Sequence, residues 1–122
     1  MKSILIVEDD FLLSMINGKY LEIMGYKIAG TASSGEQAVE LARTTHPDLI
    51  LMDIRLGAGM NGIDAMKEIA TFSKAPVIYL TGNSTDEMRA KESTSHLAAF
   101  CVKPVHFEEL QQIIQTLWAK QE

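Results

Sequence analysis

The chain has 122 residues, of which 47% are hydrophobic and 22% charged, values typical of one globular domain. Its 11 basic and 16 acidic residues give a formal net charge of −5, which disfavours direct binding to nucleic acid or to an anionic membrane surface. Cys101 is the only cysteine, which excludes an internal disulfide and predicts a reducing compartment, the cytoplasm. The early acidic residues argue against a signal peptide, and no apolar run reaches membrane-spanning length.

The first predicted elements are a strand, a helix and a second strand. Residues 4–7 form a continuous apolar run, which is typical of a buried strand. Asp10 then suits the N-cap of a helix that ends near Gly25. The apolar residues of this helix recur at helical spacing and are Leu12, Met15, Ile16, Tyr20 and Ile23. Residues 26–32 predict the second strand.

Residues 33–42 predict the second helix. Its start offers two capping boxes, Ser33 with Glu36 or Ser34 with Gln37. In either box the side chains satisfy backbone N–H groups that the first helical turn leaves free.

The middle of the chain predicts a strand, a helix and another strand. Pro47 ends the preceding segment, and residues 48–53 and 75–81 form the third and fourth strands. Between them, residues 62–70 predict a helix with one apolar face, made of Ile63, Met66 and Ala70.

The last predicted elements begin with a weak helix. Residues 84–96 have a thin apolar face, although Ser84 and Glu87 are expected to cap the start. Residues 98–102 predict the fifth strand. The final helix shows an i, i+3, i+4, i+7 pattern formed by Leu110, Ile113, Ile114 and Leu117.

Alternating strands and helices predict an α/β fold: a three-layer α/β/α sandwich with parallel strands and right-handed crossovers. Ligands of such folds bind at the carboxyl ends of the strands. Polar residues follow four of the five strands at these ends: Glu8, Asp9, Asp10, Asp53, Thr81 and Lys103. In the flavodoxin-like order 2-1-3-4-5, the first and third strands are neighbours.

In that order three carboxylates, those of Glu8, Asp9 and Asp53, converge on one pocket. Hard oxygen ligands of this kind suit Mg²⁺. Taken singly, each acid is equally well explained as a solvated loop residue, and Lys103 as a surface lysine. The prediction of a magnesium site therefore depends on their shared position at one edge of the sheet.

Four sequence blocks together resemble the receiver domain of bacterial two-component response regulators, of the chemotaxis-regulator type. They are "ILIVEDD", "PDLILMDIRL" followed by "NGIDA", "APVIYLTG" and "FCVKP", in that order. The resemblance implies a flavodoxin-like receiver domain over residues 1–122, with no output domain in this chain. The chain is then either a single-domain regulator or a domain of a longer protein.

The resemblance also implies an acceptor and a metal site. Asp53 corresponds to the aspartate that accepts a phosphoryl group. Asp9 corresponds to the direct Mg²⁺ ligand, Glu8 to an acid acting through water, and the backbone carbonyl of Arg55 to a further metal contact. Such a protein is not a classical enzyme, although it catalyses its own Mg²⁺-dependent phosphorylation and dephosphorylation.

Five more positions match the family's motifs. Thr81 corresponds to the hydroxyl that contacts the phosphoryl oxygens, and Gly82 to the backbone N–H beside it. Lys103 corresponds to the lysine that pairs with the phosphoryl group, and Pro104 to the proline after a cis peptide bond. Phe100 stands where the family has its switch aromatic.

The loop after Asp53 departs from the family pattern. Gly57 replaces a common proline four residues after the acceptor, and the span to Gly62 is one residue longer than usual. We expect this loop to be more mobile and the phosphoryl lifetime to be altered. Arg55 and Asn83 stand at positions where the family varies residues that tune hydrolysis.

The expected partners are a histidine kinase or phosphotransfer protein, and a downstream protein or output domain. A phosphorylation-dependent homodimer is a further expectation. The main alternative is a receiver-like interaction module that is never phosphorylated. A hydrolase-like phosphotransferase is disfavoured because Arg55 replaces its second carboxylate. A flavin-binding module is disfavoured because "EDD" would repel the flavin phosphate.

Overall fold

Strands and helices alternate through the computed structural model, which describes residues 1–119. The last three residues of the predicted domain, 120–122, lie outside the described residues. The strands are β1 Ser3–Val7, β2 Lys27–Ala32, β3 Leu49–Asp53, β4 Val77–Thr81 and β5 Leu97–Val102. The helices are α1 Phe11–Ile23, α2 Gly35–Thr45, α3 Gly62–Ile69, α4 Ser84–Ser93 and α5 Phe107–Ala119.

The five strands form one parallel sheet in the order β2-β1-β3-β4-β5. This confirms the predicted α/β fold and its strand order. No helix within residues 1–119 combines the length and the apolar character needed to cross a bilayer.

Apolar side chains fill both faces of the sheet. Along β1, Leu5 and Val7 belong to the core beneath α2 and α3, whereas Ile4 and Ile6 belong to the core beneath α1 and α5. Strands β3 and β4 are buried along their whole length. A buried aliphatic side chain contributes about 1.5–3 kcal/mol. The central strands therefore hold their carboxyl ends in fixed positions.

The first helix is confirmed, but its apolar spacing does not mark its core-facing side. Leu12, Met15 and Ile23 are 64%, 51% and 71% exposed. The buried residues of α1 are Ser14, Asn17 and Leu21. Because α1 is apolar on most of its circumference, periodicity alone does not distinguish the inner face. The structure thus leaves an apolar helix face exposed beside the carboxyl ends of the strands.

Side-chain caps begin each of the first four helices. The Oδ1 atom of Asp10 accepts a hydrogen bond from the Leu13 amide at 3.1 Å, which confirms the predicted cap of α1. At α2 the second alternative is correct, because Ser34 Oγ accepts from the Gln37 amide at 3.1 Å. Gln37 Oε1 in turn accepts from the amide of Ser33 at 2.8 Å.

The predicted cap of α4 is wrong. Asn83, and not Ser84, is the N-cap, and its Oδ1 accepts from the Asp86 amide at 2.8 Å. Asn is a favoured N-cap residue. Because the cap lies one residue earlier than predicted, the residue three positions after it is Asp86 and not Glu87. The helix ends at Ser93, three residues earlier than predicted.

Candidate functional site

Three carboxylates meet at the carboxyl ends of β1 and β3. The two strands are paired, with Val7 opposite Met52, so the residues that follow them are neighbours. Glu8, Asp9 and Asp53 each offer an oxygen, and these oxygens lie within 4.8 Å of one another. Glu8 and Asp53 are each only 3% exposed, whereas Asp9 is open to solvent. The structure thus brings the predicted acids together.

The lysine that directly follows β5 faces this cluster. Lys103 Nζ lies 2.5 Å from Asp53 Oδ2 and 3.6 Å from Glu8 Oε1. The Lys103 amide donates to the Thr81 carbonyl at 2.9 Å, and the Lys103–Pro104 peptide bond is cis. Burial lowers the pKa of Lys103, but the hydrogen bond to Asp53 and the charge of Asp53 raise it by more. The pKa of Lys103 is therefore above its ordinary value. The lysine therefore stays protonated beside Asp53.

Glu8 carries an unusual carboxyl group. Burial is the main cause that raises its pKa, a hydrogen bond from the Asp10 amide lowers it and the charge of Asp53 raises it, so that the pKa is about 7. Among the described residues, no donor forms a hydrogen bond with its buried Oε1. An unsatisfied buried oxygen next to two further carboxylates fits a divalent cation with hard oxygen ligands.

The backbone around Asp53 is closely packed. The amide of Arg55 donates to Asp53 Oδ1 at 3.1 Å, so both carboxylate oxygens of Asp53 are engaged. Gly62, the first residue of α3, lies directly against the Asp53 carbonyl, and its amide donates to Ile54 O at 2.8 Å. A Cβ atom at this glycine would lie 2.9 Å from Met52 Cγ. The sequence motif "NGIDA" therefore allows α3 to approach the acceptor strand.

The hydroxyl of Thr81 is buried at the end of β4, where 1% of the residue is exposed. Its Oγ1 donates to the Asn83 carbonyl at 2.9 Å and accepts from the Asn83 amide at 3.2 Å. Gly82 lies between them with an open surface, since a Cβ there would meet no atom within 4 Å. The predicted phosphoryl contacts thus belong to the loop that leads into α4.

Phe100 lies one strand away, half-buried beneath α4. Its ring stacks on that of Tyr79, with centroids 6.0 Å apart, and Lys91 Nζ lies 5.9 Å from its centroid. The Tyr79 hydroxyl forms a 2.7 Å hydrogen bond with Thr94, and burial raises the pKa of Tyr79 to about 12. Phe100 therefore contacts both β4 and α4.

The sequence patterns did not predict the ion pair between Asp86 and Arg55. Arg55 Nε lies 2.7 Å and Nη2 3.4 Å from the two carboxylate oxygens of Asp86. Asn83 Nδ2 also donates to Asp86, at 3.2 Å. Hydrogen bonding to Asp86 and its charge raise the pKa of Arg55. Acids in the first turn of a helix are common, so the sequence carries no signal that singles out this contact.

The unusual loop after Asp53 is braced against α2. Gly57 and Gly59 have φ of 36° and 89°, a left-handed conformation that glycine adopts without strain. The Met60 amide donates to Glu36 Oε2 at 3.3 Å, and a Cβ at Gly35 would lie 2.9 Å from Met60 Cβ. The greater mobility expected for this loop stays a prediction.

Comparison with known proteins identifies a common family. Residues 4–115 match the family described as the response regulator receiver domain. The transcriptional regulatory protein PdtaR of Mycobacterium tuberculosis is 37% identical over 109 residues, which cover 89% of this chain and 53% of PdtaR. The chain thus spans about half the length of that relative. The chemotaxis protein CheY of Thermotoga maritima is 35% identical over 104 residues, or 84% of this chain and 86% of CheY.

Solved structures with the same fold include receiver domains. One belongs to a sensor histidine kinase of Pseudomonas aeruginosa PAO1 and has a magnesium ion coordinated in its active-site cleft. It superposes with a TM-score of 0.84 at 30% identity, covering 95% of this chain and 96% of that one. The signal receiver domain of a modulated diguanylate cyclase from Desulfovibrio desulfuricans gives 0.87 at 30% identity, covering 98% and 95%.

Proposed function

Since the chain belongs to the response regulator receiver domain family of two-component signalling, we propose that it accepts a phosphoryl group on Asp53. The donor is a histidine kinase or a phosphotransfer protein. One observation carries the proposal: the Asp53 carboxylate is buried at the end of β3, between the Lys103 ammonium and two further acids.

The transfer is a displacement at phosphorus. A carboxylate oxygen of Asp53 forms a bond to phosphorus while the bond to the donor breaks, and the donor atom keeps the electron pair. The three phosphoryl oxygens carry charge that must be neutralised, because this reaction depends mainly on positioning and electrostatics. Lys103, directly after β5, supplies one cation, and the amides of Gly82 and Arg55 supply hydrogen-bond donors. The Thr81 hydroxyl contacts the phosphoryl group after transfer.

The acids beside Asp53 would hold Mg²⁺. Asp9, Asp53 and the backbone carbonyl of Arg55 are the proposed direct contacts, and Glu8 contributes its charge through water. When bound, the ion neutralises the phosphoryl oxygens and orients the incoming group. The Glu8 Oε1 atom, which accepts no hydrogen bond among the described residues, and the grouping of the three carboxylates within 4.8 Å support this proposal. Phosphorylation and later hydrolysis are then both reactions of this domain, although it is not a classical enzyme.

The donor is proposed to dock over α1. Phe11 and Leu12, at the start of this helix, are 79% and 64% exposed, and neighbouring exposed apolar side chains are typical of protein-binding surfaces. A groove of about 480 Å³ connects this helix to the site, because both Leu13 and Lys103 line it. A protein that reaches Asp53 from this edge covers the patch, which explains why α1 is apolar on its outer side.

The output is proposed to pass through α4. When the phosphoryl group draws the Thr81 hydroxyl inward, Phe100 moves to a more buried position beside β4. A downstream protein, an output domain or a second phosphorylated copy then reads the face made by α4, β5 and α5. The physical event is a shift between two packings, and α4 has few buried anchors that oppose it.

Residues 1–122 are proposed to form a receiver domain that is located in the cytoplasm. The alternative is a receiver-like interaction module that is never phosphorylated. The Lys103–Asp53 contact favours the phosphoacceptor, since a module without phosphoryl chemistry does not require a lysine directed at its acidic pocket.

Labelling tests the acceptor. The chain is incubated with radioactive acetyl phosphate and Mg²⁺, and the bound label is assayed for stability in acid and lability in base. Asp53→Asn should abolish the label. Asp48→Asn is the matched control, because Asp48 precedes the same strand at the opposite edge of the sheet and hydrogen-bonds Ser3 there. Full labelling of Asp53→Asn at another residue would contradict the assignment, and an unlabelled parent would favour the alternative.

A further inference from the structure

Asp86 is a buried carboxylate whose only ion-pair partner within residues 1–119 is Arg55. The side chain of Asp86 is 4% exposed, whereas that of Arg55 is 73% exposed. The pair joins two Arg55 nitrogens to two Asp86 oxygens, a geometry that gives arginine–carboxylate pairs their strength. The cation that pairs with this buried carboxylate in α4 is thus itself mostly exposed to solvent.

This ion pair is one of the few contacts that hold the first turn of α4. The helix buries only two of its ten residues, Asp86 and Ala90. Its sequence is polar, and its first turn carries a second acid, Glu87. Because α4 buries so little apolar surface, its first turn is held mainly by polar contacts, the Arg55–Asp86 pair and the Asn83 cap.

Of all positively charged residues, Arg55 is the closest in sequence to the acceptor Asp53. It follows Asp53 by two positions, and its amide already donates to Asp53 Oδ1 at 3.1 Å. A phosphoryl group brings a charge of about −1.5 to −2 and three acceptor oxygens. Guanidinium groups bind phosphoryl oxygens in the same two-pronged manner in which they bind carboxylates. The phosphoryl group on Asp53 and the carboxylate of Asp86 therefore compete for the guanidinium of Arg55.

We propose that Arg55 is a shared cation that leaves Asp86 for the phosphoryl group when Asp53 is phosphorylated, and that Asp86 is its positioning residue in the unphosphorylated state. The inference depends on the proposed phosphorylation of Asp53. It adds a route from the acceptor to α4 that is separate from Thr81 and Phe100.

The exchange leaves Asp86 buried without its cation. An unpaired buried carboxylate is unfavourable, so the first turn of α4 opens to hydrate it. Asn83 belongs both to this turn and to the loop that holds the Thr81 hydroxyl. Both routes therefore loosen the same end of the helix.

Thermodynamic coupling is reciprocal, which makes the exchange measurable at the phosphoryl site. If the phosphoryl group weakens the Arg55–Asp86 pair, then the pair weakens binding of a phosphoryl mimic by the same factor. Asp86→Asn removes the competing charge but keeps a side-chain oxygen for Arg55. This variant should bind the mimic more tightly, and only while Arg55 is present.

The test is a double-mutant cycle with beryllofluoride, a tetrahedral mimic of a carboxylate-bound phosphoryl group, titrated calorimetrically in the presence of Mg²⁺. We expect Asp86→Asn to tighten binding about tenfold, equivalent to about 1.4 kcal/mol. Arg55→Gln should weaken binding about tenfold. In the Arg55→Gln background, Asp86→Asn should change the affinity less than twofold.

Arg89→Gln is the control for net charge. Arg89 is an exposed arginine on the same helix and forms no ion pair in the described part of the chain. The Arg89→Gln variant should bind beryllofluoride with an affinity within twofold of the parent's.

Hydrogen exchange gives a second measurement that needs no change at Asp86, and so does not depend on how well Asp86→Asn folds. In the parent, beryllofluoride should speed exchange of the amides at positions 86–89 about tenfold. In Arg55→Gln these amides should exchange rapidly with or without the mimic.

Several results would overturn the inference while leaving the proposed function intact. They are equal effects of Asp86→Asn in both backgrounds, a loss with Arg89→Gln as large as with Arg55→Gln, and unchanged α4 exchange in a parent that binds the mimic. A parent that neither binds beryllofluoride nor labels at Asp53 would overturn the proposed function and this inference together.

Discussion

Replacing Gly62 by alanine tests how the acceptor is held in place. The glycine begins α3 directly behind Asp53. An added Cβ would lie well inside 3.0 Å of the Asp53 carbonyl oxygen, 2.9 Å from Met52 Cγ and 3.0 Å from Ile54 Cα. Two of these neighbours are backbone atoms of a buried region, so no flexible side chain can move aside. Either the end of β3 or the start of α3 must shift.

The expected cost follows from this crowding. Inserting one carbon into a packed core costs about 1–3 kcal/mol. For a chain of this size, a loss of 1 kcal/mol lowers the melting temperature by about 3–6 °C, so we expect a fall of about 3–18 °C. The carboxylate of Asp53 moves with its backbone, and a displacement of about 1 Å costs up to about 100-fold in rate. Labelling by acetyl phosphate should therefore slow about tenfold or more.

Gly18→Ala is the matched control. Gly18 lies inside α1, and an added Cβ would meet only Ile6 Cδ1, at an ordinary 3.7 Å. Alanine in a helix interior is favoured over glycine by about 0.5–1 kcal/mol, so this variant should melt higher than the parent and label normally. A Gly62→Ala protein that is as stable as the parent would refute the packing argument. A destabilised protein with a normal labelling rate would show that Gly62 does not position Asp53.

Three further predictions concern the metal site and the switch. Mg²⁺ should raise the melting temperature by mass action, and Asp9→Ala should lose most of that gain; an unchanged response would contradict the metal role of Asp9. Without metal, the stability contributed by protonated Glu8 is present below about pH 4.5 and is lost as the pH rises through about 7, because the folded state binds the proton more tightly. Glu8→Gln should flatten this decline in the free energy of unfolding from urea titrations, and a parent without the decline would disprove the raised pKa. Phe100→Ala should leave labelling at Asp53 near normal while phosphorylation-dependent partner binding or dimerisation falls; an unimpaired response would mean that another route, such as Arg55, carries the signal.

The sequence by itself determined the order of elements and most of the site. Continuous apolar runs such as residues 4–7 and 49–52 suit only strands covered on both faces, and alternation with helices forces these strands to be parallel. Parallel strands place all their carboxyl ends at one edge. Glu8, Asp53 and Lys103 could therefore be assigned to one pocket, although 50 residues separate the last two.

The tertiary structure alone decided which side of α1 faces the core and which residues meet across the β4–α4 loop. A helix that is apolar around most of its circumference has no single face that periodicity identifies, so Ser14 and Asn17 were not recognised as buried. The same limit applies to Arg55 and Asp86, which lie 31 residues apart and carry no pattern that links them. Their contact depends on how the loop after β3 packs beside the start of α4. Packing of that kind depends on three-dimensional distance, whereas sequence patterns report only local spacing and the burial it implies.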